Sequence, residues 1–314
     1  MKKPASPTEL KDFATRAVEN IYPSKEEFLT RLATGKPISI YLGVDPTANT
    51  LHIGHGAILL KLKKLQAWGH QVTILVGDFT AQIGDPDGKL ETRQVLSESV
   101  VEANYQAYRE QIGRILNLKK TKFVFNKKWL AKMNFAEVIK LASGFTVGQM
   151  MERDMFQERL KKNSPIYLHE FLYPLMQGYD SVKLGVEAEI GGNDQTFNML
   201  MGRTMAKRLG REKFVITVKL LTDPTGKKMG KTEGNMVTLA DNPNEMYGKV
   251  MSWSDTMIMS GFEICTALPL TDLAQSCQQN PRDAKMALAK ELVRIYHGPE
   301  AATTAETYFI DTFQ

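Results

Sequence analysis

A strand, a helix and a second strand follow one another closely near the N-terminus. Residues 38–44 alternate in β-rich side chains and end at Asp45, which predicts a strand followed by a turn. A helical pattern runs over residues 53–68 and stops at Gly69, and residues 72–76 form a short apolar run typical of a buried parallel strand. Because a strand–helix–strand unit pairs its two strands in parallel, the sequence predicts an α/β fold.

The rest of the chain extends this pattern and then changes character. Residues 122–125 and 215–221 predict further strands, and the middle of the stretch between them is irregular and helical. From residue 242 onward the signals are helical only. We therefore predict a Rossmann-type doubly wound parallel sheet with a helical insertion, followed by a small all-α domain. The predicted boundaries are 1–220 for the Rossmann-type domain with its insertion at about 126–180, 221–240 for a loop and linker, and 241–314 for the helical domain.

The composition narrows the class of protein. Hydrophobic residues make up 43% and charged residues 24% of the chain, a globular balance that argues against disorder. The sequence contains neither an apolar run of the roughly 18–20 residues that a membrane helix needs nor a signal peptide. Two cysteines, Cys265 and Cys277, cannot form a disulfide framework or a four-thiolate metal site. We therefore expect a cytoplasmic protein without a membrane partner, and its net charge of +5 permits a polyanionic one.

Two histidines lie in the turn between the first predicted strand and its helix. Ligands bind at this junction in doubly wound sheets, and the helix N-terminus offers unpaired N–H groups to an anion. His52 and His55 are three residues apart, so both imidazoles can stabilise charge that grows on one phosphate. Gly54 and Gly56 remove side chains where a nucleotide would lie close to the backbone. Taken alone, the pair could also be a surface histidine pair or part of a metal site.

A basic loop lies late in the chain. Residues 226–234 are Gly-Lys-Lys-Met-Gly-Lys-Thr-Glu-Gly, with glycine at both ends. Such a flexible loop can bring Lys228 and Lys231 onto a polyphosphate, since an ammonium group binds phosphate as a point charge. In isolation the stretch would be a solvated basic loop. Together with a phosphate-facing helix N-terminus, it predicts the second half of one phosphate site.

Three polar side chains share one face of a predicted helix. Tyr173, Gln177 and Asp180 stand at positions i, i+4 and i+7, and the residues around them are apolar. A solvent-facing stripe is possible, but the apolar neighbours favour a buried polar cluster. A buried carboxylate must be hydrogen-bonded, and the phenol of a ligand is a natural partner.

A glycine turn, Gly-Gly-Asn-Asp-Gln at residues 191–195, precedes another predicted helix. Its glycines allow the backbone to approach a ligand closely, and Asp194 can accept hydrogen bonds from ribose hydroxyls. Alternatively, Asp194 is the N-cap of the helix that follows, and the two interpretations are compatible.

The His-Ile-Gly-His turn and the Lys-Met-Gly-Lys-Thr loop resemble the two signatures of class I aminoacyl-tRNA synthetases. With Tyr-x-Gly-x-Asp-Pro-Thr ahead of the histidines, the chain resembles bacterial tyrosyl-tRNA synthetases over its whole length. The resemblance implies that L-tyrosine reacts with Mg²⁺–ATP to give tyrosyl-adenylate and pyrophosphate, after which the tyrosyl group passes to the 3′ end of tRNA(Tyr). It also implies a homodimer, with the insertion forming much of the interface, and no tightly bound protein metal.

The resemblance further assigns site residues in three sets. The catalytic set is His52, His55, Lys228, Lys231 and Thr232. The tyrosine-binding set is Tyr41, Asp85, Tyr173, Gln177, Asp180 and Gln195, with Tyr41 and Asp180 at the phenol hydroxyl. The ATP-binding set is Gly43, Asp45, Thr47, His52, Gly54, His55, Lys89, Arg93, Gly192, Asp194, Lys228 and Lys231. The role of Glu189, where some members of the family have an amide, stays open.

Three alternatives and one expectation remain at this point. The chain could be a synthetase for another amino acid, a related nucleotidyltransferase, or an RNA-binding paralogue without chemistry. Members of the family usually continue into a C-terminal RNA-binding domain, whereas this sequence ends at Gln314. We therefore expect a shortened protein that activates tyrosine but charges tRNA poorly.

Overall fold

A single mixed sheet forms the centre of the molecule. The computed structural model describes residues 5–85, 96–222, 236–271, 273, 277 and 279–313. In these residues the strands are β1 (Val18–Tyr22), β2 (Ser39–Val44), β3 (Gln71–Val76), β4 (Thr121–Phe125), β5 (Ala188–Gly192) and β6 (Phe214–Val218). Their order across the sheet is β1-β6-β5-β2-β3-β4.

Five of the six strands run parallel, as the sequence predicts. β2 pairs in parallel with β3 on one side and with β5 on the other, and β4 and β6 continue the two halves. β1 is different, because it pairs antiparallel with β6 and closes that edge. The predicted parallel sheet therefore carries one antiparallel strand, at this edge. Only Ile21 of β1 is buried, so the strand lacks the apolar run that marks the inner strands.

Helices connect the strands and form the C-terminal part of the chain. Their bounds are α1 (Pro7–Thr15), α2 (Lys25–Ala33), α3 (Ile53–Trp68), α4 (Thr80–Ile83), α5 (Glu98–Gly113), α6 (Lys127–Leu130), α7 (Phe135–Ala142), α8 (Val147–Met151), α9 (Asp154–Lys161), α10 (Leu168–Leu184), α11 (Thr196–Arg208), α12 (Pro243–Met251), α13 (Ile258–Cys265), α14 (Pro281–His297) and α15 (Pro299–Phe313). In the described part of the chain, no helix is both long and apolar enough to cross a membrane.

The helix that follows β2 has the predicted bounds. α3 begins at Ile53 and ends at Trp68, and Gly69 terminates it in the left-handed region at φ 96°. Gly69 fits this position because a residue without Cβ adopts positive φ at little cost. The resulting β2–α3–β3 unit is the parallel crossover that the sequence indicates.

One large hydrophobic core joins the sheet to the C-terminal helices. Leu62 of α3 and Ile74 of β3 belong to the same buried cluster as Phe262 of α13 and Leu288 of α14. The C-terminal helices therefore pack on the sheet layer and share its core. The division into domains at residues 221–240 stays a prediction, because residues 223–235 lie outside those described.

The predicted insertion is helical and packs against α11 through a small core. Helices α6 to α9 and most of α10 occupy it, and Met150 and Leu175 of the insertion pack with Met201 and Met205 of α11. α10 runs past the predicted end of the insertion to Leu184 and leads into β5. The insertion is thus tied to the sheet through one long helix.

Candidate active site

One face of the sheet is accessible to solvent at strand β2. The connections out of β2 lead to β3 on one side, and the chain returns as β5 on the other, so β2 marks the switch point where α/β sheets bind ligands. Gly43 is exposed although its neighbours in β2 are buried. Tyr41 lies two residues earlier on the same face, and a Cβ at Gly43 would lie 3.9 Å from its ring. The face of β2 is therefore open to solvent at Gly43, beside a fully buried tyrosine.

The loop that leaves β2 is held from behind by α5. The Asn104 amide donates to the Pro46 carbonyl at 2.9 Å. Gln111 accepts from the Leu51 N–H at 2.8 Å and donates to the Asn49 carbonyl at 3.0 Å. Both residues are buried, so these hydrogen bonds form in the protein interior. The sequence prediction missed these residues, because the apolar period of this helix was its dominant signal.

The two predicted histidines pack against each other at the start of α3. Their ring centroids are 3.9 Å apart. His52 Nδ1 accepts from the Gly54 N–H at 3.1 Å, and His55 Nδ1 accepts from the His52 N–H at 3.3 Å. A nitrogen that accepts a hydrogen bond carries no proton, so each neutral imidazole carries its proton on Nε2. The pair is thus arranged as two Nε2–H donors, the form that stabilises growing negative charge.

The two glycines of this turn have different roles. A Cβ at Gly54 would lie 2.9 Å from the His52 ring, so glycine allows the imidazole to fold back over the helix start. A Cβ at Gly56 would overlap the hydroxyl of Tyr296 in α14. The prediction that Gly56 makes room for a nucleotide is therefore wrong, because the space is taken by a buried tyrosine of the C-terminal helices.

The chain returns to the histidine turn after the predicted phosphate loop. His52 and Thr238 form an isolated antiparallel bridge. The Ile53 N–H donates to the Val237 carbonyl at 3.0 Å, and the Leu239 N–H donates to the Leu51 carbonyl at 2.8 Å. The segment after the loop is therefore anchored beside the histidines.

Five predicted residues of the phosphate side cannot be placed. Lys89 and Arg93, and with them Lys228, Lys231 and Thr232, lie outside the described residues. Their predicted roles stay predictions.

Asp45 connects the predicted nucleotide side to the predicted tyrosine side. One of its carboxylate oxygens accepts from the Thr80 hydroxyl and the other from the Tyr173 hydroxyl, each at 2.8 Å. A side chain at Gly77 would collide with this carboxylate, so glycine permits the arrangement. The Thr47 N–H donates to the Asp45 carbonyl at 2.7 Å and tightens the turn. Burial, followed by the Asp45 charge, holds the pKa of Tyr173 well above its usual value.

Asp180 is buried and hydrogen-bonded at both carboxylate oxygens. Trp129 Nε1 donates to Oδ1 at 2.7 Å, and Asn126 Nδ2 donates to Oδ2 at 3.1 Å. Asn126 also donates to the Thr80 hydroxyl at 3.0 Å and so links Asp180 to the Asp45 group. Burial raises the pKa of the Asp180 carboxyl to about 8, against the effect of the two donors. The sequence prediction missed both donors, although Asn126 directly follows β4 at the ligand-binding edge of the sheet.

Tyr41 and Asp180, the predicted pair for a phenol, are both buried and lie close enough for their charges to interact. The Asp180 charge contributes to a pKa of Tyr41 that burial holds well above its usual value. The Tyr41 hydroxyl itself makes a 2.7 Å hydrogen bond with Ser181 Oγ. On the predicted helical face Tyr173 and Asp180 are buried and Gln177 is half-buried, so its alternative as a solvent stripe is wrong.

The residues predicted around an α-ammonium group have separate partners. Gln177 Nε2 donates to Glu189 Oε1 at 3.2 Å. Glu189, whose role the sequence left open, is therefore a hydrogen-bond partner of Gln177. Tyr173 faces Asp45 instead, although the Asp85 charge also raises its pKa. Three carboxylates, those of Asp45, Asp85 and Glu189, thus lie beside this face of α10.

Asp85 is the centre of a further cluster. Gln195 Nε2 and Asn198 Nδ2 donate to Oδ2 at 3.0 and 3.3 Å, and Arg153 donates to Oδ1 at 3.2 Å. The Arg153 guanidinium is buried over two phenylalanine rings, Phe156 of the insertion and Phe197 of α11. The predicted neighbours Asp85 and Gln195 therefore meet, and an arginine and an asparagine that the sequence prediction missed complete the group.

Asp194 lies in the glycine turn at the end of β5 and is not the N-cap of the next helix. α11 begins at Thr196, and its N-cap, Gln195, makes no side-chain capping bond. The interpretation of Asp194 as an N-cap is therefore wrong. A Cβ at Gly192 would overlap the Asp194 carboxylate, so glycine leaves room for this position of the Asp194 side chain. In the part of the chain that the structure describes, no group of three or more His, Cys, Asp or Glu side chains could hold a metal ion.

These features define a class I aminoacyl-tRNA synthetase: a predominantly parallel sheet with a His-x-Gly-His turn on the helix that follows its switch-point strand. The chain belongs to the family of class I tRNA synthetases (W and Y), whose profile matches residues 33–314. The predicted fold and the predicted family are confirmed.

Relatives named tyrosine–tRNA ligase cover almost the whole chain. The protein from Carboxydothermus hydrogenoformans is 49% identical over 310 residues, which are 95% of this chain and 75% of that protein. Those from Moorella thermoacetica and Haemophilus influenzae are 47% and 45% identical, over 95% and 93% of this chain and 75% and 74% of their own lengths. The chain spans about three quarters of these relatives.

Solved structures show the same fold. A C-terminally truncated mitochondrial tyrosyl-tRNA synthetase from Aspergillus nidulans aligns with a TM-score of 0.79 and 24% identity, covering 97% of this chain and 94% of that one. A tyrosyl-tRNA synthetase from Archaeoglobus fulgidus, solved with L-tyrosine, aligns with a TM-score of 0.73 and 22% identity, covering 95% of this chain and 99% of that one.

Proposed function

We propose that the chain acts as a tyrosine–tRNA ligase, which activates L-tyrosine with ATP and transfers the tyrosyl group to the 3′ end of tRNA(Tyr). The observation that carries this proposal is the buried Asp180 carboxylate, oriented by Trp129 and Asn126 beside Tyr41 below the open face of β2. The 43–49% identity to relatives named tyrosine–tRNA ligase supports the same substrate.

The first step needs positioning and charge stabilisation. A carboxylate oxygen of tyrosine attacks the α-phosphorus of Mg²⁺–ATP, and the bond from that phosphorus to the pyrophosphate oxygen breaks. The carboxylate is already ionised at pH 7, so no residue has to remove a proton. His52 and His55 donate through Nε2–H to the oxygens that gain charge. Lys228 and Lys231 are proposed to bind the departing pyrophosphate, and Lys89, Arg93 and Thr232 to assist on the same side.

The proposed tyrosine pocket selects the substrate through its hydroxyl group. The phenol donates to Asp180, and Tyr41 bonds to the phenol oxygen. Phenylalanine would leave both buried groups unpaired, the effect for which a tyrosyl synthetase is the general example, with discrimination of about 10⁵. Asp85, Tyr173 and Gln177 are proposed to face the α-ammonium group, and Gln195 the carboxylate.

The proposed nucleotide site adjoins the proposed tyrosine pocket, where β2 leads into α3. Gly43 leaves the sheet surface open, and Asp45, Thr47 and Gly54 shape the turn ahead of α3. Asp194 is proposed to accept from the ribose hydroxyls, with Gly192 providing space for its carboxylate. Adenine would then lie near the switch point and the phosphates near the histidines.

We further propose that two copies associate through the insertion. Helix α7 contains no buried residue, although Phe135 and Ile139 belong to it, and these side chains are 79% and 54% exposed. Leu168 at the start of α10 is 85% exposed. Apolar surface of this kind marks a protein interface. Light scattering should give the mass of a dimer, and Leu168→Glu should shift it toward the monomer. A monomeric parent protein at micromolar concentration would contradict the proposal.

Amino-acid-dependent exchange between ATP and pyrophosphate tests the activity. The expected result is exchange with tyrosine and far less with phenylalanine or tryptophan. Exchange with another amino acid would favour a different synthetase. RNA binding without any exchange would favour a paralogue that has lost chemistry. Charging of tRNA(Tyr) is measured separately, since it tests the second step, on which the proposed role in cytoplasmic protein synthesis depends.

A further inference from the structure

A buried ion pair lies behind the proposed tyrosine pocket. The Lys213 side chain, 1% exposed, bonds to Oε2 of Glu189, whose side chain is 2% exposed. Taking two charges out of water costs about as much as their attraction returns, so such a pair is weak evidence for stability. Its position suggests a different reason for its presence, because Lys213 Nζ lies 5.4 Å from the centre of the Tyr41 ring.

Ser181 joins the ion pair to the pocket. Lys213 Nζ donates to Ser181 Oγ, and Ser181 Oγ makes the 2.7 Å hydrogen bond with the Tyr41 hydroxyl. Gly202 in α11 makes the contact possible, because a Cβ there would overlap Ser181 Oγ and lie 2.7 Å from Lys213 Nζ. The ammonium, the serine and the tyrosine therefore form a continuous chain inside the protein.

The Lys213 ammonium group determines which groups donate and which accept in these hydrogen bonds. A protonated lysine only donates, so the serine oxygen accepts from it and keeps one proton to give. Two acceptors are in reach, the Tyr41 oxygen at 2.7 Å and Glu189 Oε2 at 3.3 Å. Lys213 already bonds to Glu189 Oε2, and the tyrosine oxygen is closer, so the geometry favours donation to Tyr41. The Tyr41 hydroxyl then keeps its own proton, which it can donate to the oxygen of a ligand or to the nearby Glu189 carboxylate.

We propose that Lys213 is a specificity-determining positioning residue: through Ser181 it orients the Tyr41 hydroxyl as a donor to the oxygen of the bound phenol. This inference rests on the proposed function. The phenol proton then goes to Asp180, so one directed chain runs from the Lys213 ammonium to the Asp180 carboxylate. Hydrogen bonds aligned in this way polarise and strengthen one another.

Glu189 has two roles in this arrangement. Its Oε2 keeps a positive charge next to Ser181, against the lowering of the Lys213 pKa by burial. Its Oε1 accepts from Gln177 Nε2 at 3.2 Å, at the end of the pocket proposed for the α-ammonium group. One carboxylate thus couples the phenol end of the pocket to the ammonium end.

The test is Lys213→Met, measured by kcat/KM for pyrophosphate exchange with tyrosine and with phenylalanine. Without the directed donor, the value for tyrosine should fall roughly 10- to 100-fold, the scale of one hydrogen bond in a chain that begins at a charged group. The value for phenylalanine should stay the same, because its ring offers no oxygen to Tyr41. The tyrosine-to-phenylalanine ratio therefore falls with the tyrosine value, and Ser181→Ala should lower it in the same way.

Two further variants separate this effect from misfolding. Lys213→Met leaves Glu189 buried without its cation, so Lys213→Met combined with Glu189→Gln is the neutral version and should show the same reduced ratio. Lys290→Met removes an ion pair with Glu306 far along the chain and should leave the ratio unchanged.

The possible failures are distinguishable. A parent protein without tyrosine-dependent exchange would refute the proposed function itself. A parent protein that is active with tyrosine, together with Lys213 variants whose two kcat/KM values fall equally or not at all, would overturn only the role of Lys213.

Discussion

Trp129 donates a 2.7 Å hydrogen bond from its indole nitrogen to the Asp180 carboxylate, and so an insertion residue orients the group proposed to recognise the substrate phenol. The tryptophan lies in α6, at the beginning of the insertion, whereas Asp180 lies near the end of α10. Recognition of the phenol therefore depends on how the insertion folds back on itself.

The Trp129→Phe substitution should shift the pH dependence of tyrosine binding. Asp180 must be ionised to accept the phenol proton, and its pKa is about 8, so the KM for tyrosine should fall as pH rises toward 8. Loss of the indole donor destabilises the ionised form, so the midpoint should move up by roughly one unit. Exchange kinetics between pH 6.5 and 8.5 measure this. Trp253→Phe is the matched control, since the Trp253 indole nitrogen has no hydrogen-bond partner among the described residues.

The same carboxyl should make the stability depend on pH. Its folded pKa of about 8 lies above the ordinary value of 3.8, so the folded state holds a proton that the unfolded state releases. The stability that this proton supplies is complete below about pH 4 and is lost as pH rises through 8. Asp180→Asn should therefore gain in free energy of unfolding, relative to the parent, between pH 5 and 8.5. Urea unfolding at several pH values checks this, and parallel curves for the two proteins would contradict it.

Substitution of His52 should affect catalysis and helix stability separately. His52→Ala should lower kcat for exchange by roughly 10²–10³ with little change in the KM for ATP, the scale of one preorganised donor. His52 is also the N-cap of α3, so alanine should lower the free energy of unfolding by about 1 kcal/mol. His52→Asn should restore the cap but not the rate, because asparagine is a good N-cap of different shape. An unchanged kcat in either variant would refute the proposed role.

Gly56→Ala should be destabilising through a single contact. The added Cβ overlaps the Tyr296 hydroxyl and lies 3.0 Å from the ring carbon that bears it, so we expect a loss of about 1–3 kcal/mol. Tyr296→Phe alone should be nearly neutral, because this hydroxyl is buried and has no partner in the described part of the chain. The double variant should recover part of the loss. Thermal unfolding of the four proteins measures the coupling, and additive effects would show that the clash is relieved elsewhere.

Local signals explain which elements could be predicted. The bounds of α3 follow from its apolar period and from Gly69, both of which act within a few residues of the helix. β1 was not predicted, because an edge strand with one buried residue has no apolar run. α5 was predicted as a helix from its apolar face, whereas the contacts of Asn104 and Gln111 to the loop after β2 have no local signal.

Within the site, residue types at strand ends were predictable and their partners were not. Asp45 directly follows β2, and the histidine pair begins the helix after it, whereas Asp85 lies beyond the short helix α4. Asn126 could have been found by the same rule, because it directly follows β4. Trp129 and Lys213 offered no such signal, since an aromatic residue in an insertion and a lysine before a strand are ordinary surface residues.

The sequence by itself determined the α/β class, the helix that carries the histidine pair and the family to which the chain belongs. These depend on neighbouring residues: hydrophobic period, caps, and motifs only a few positions long. Only the tertiary structure decided the partner of each buried polar group. Tyr173 reaches Asp45 across 128 positions of sequence, and Tyr41 reaches Ser181 across 140. Such bonds depend on the order of strands in the sheet and on the return of α10 to it, because a buried donor or acceptor must find its partner wherever the fold places one.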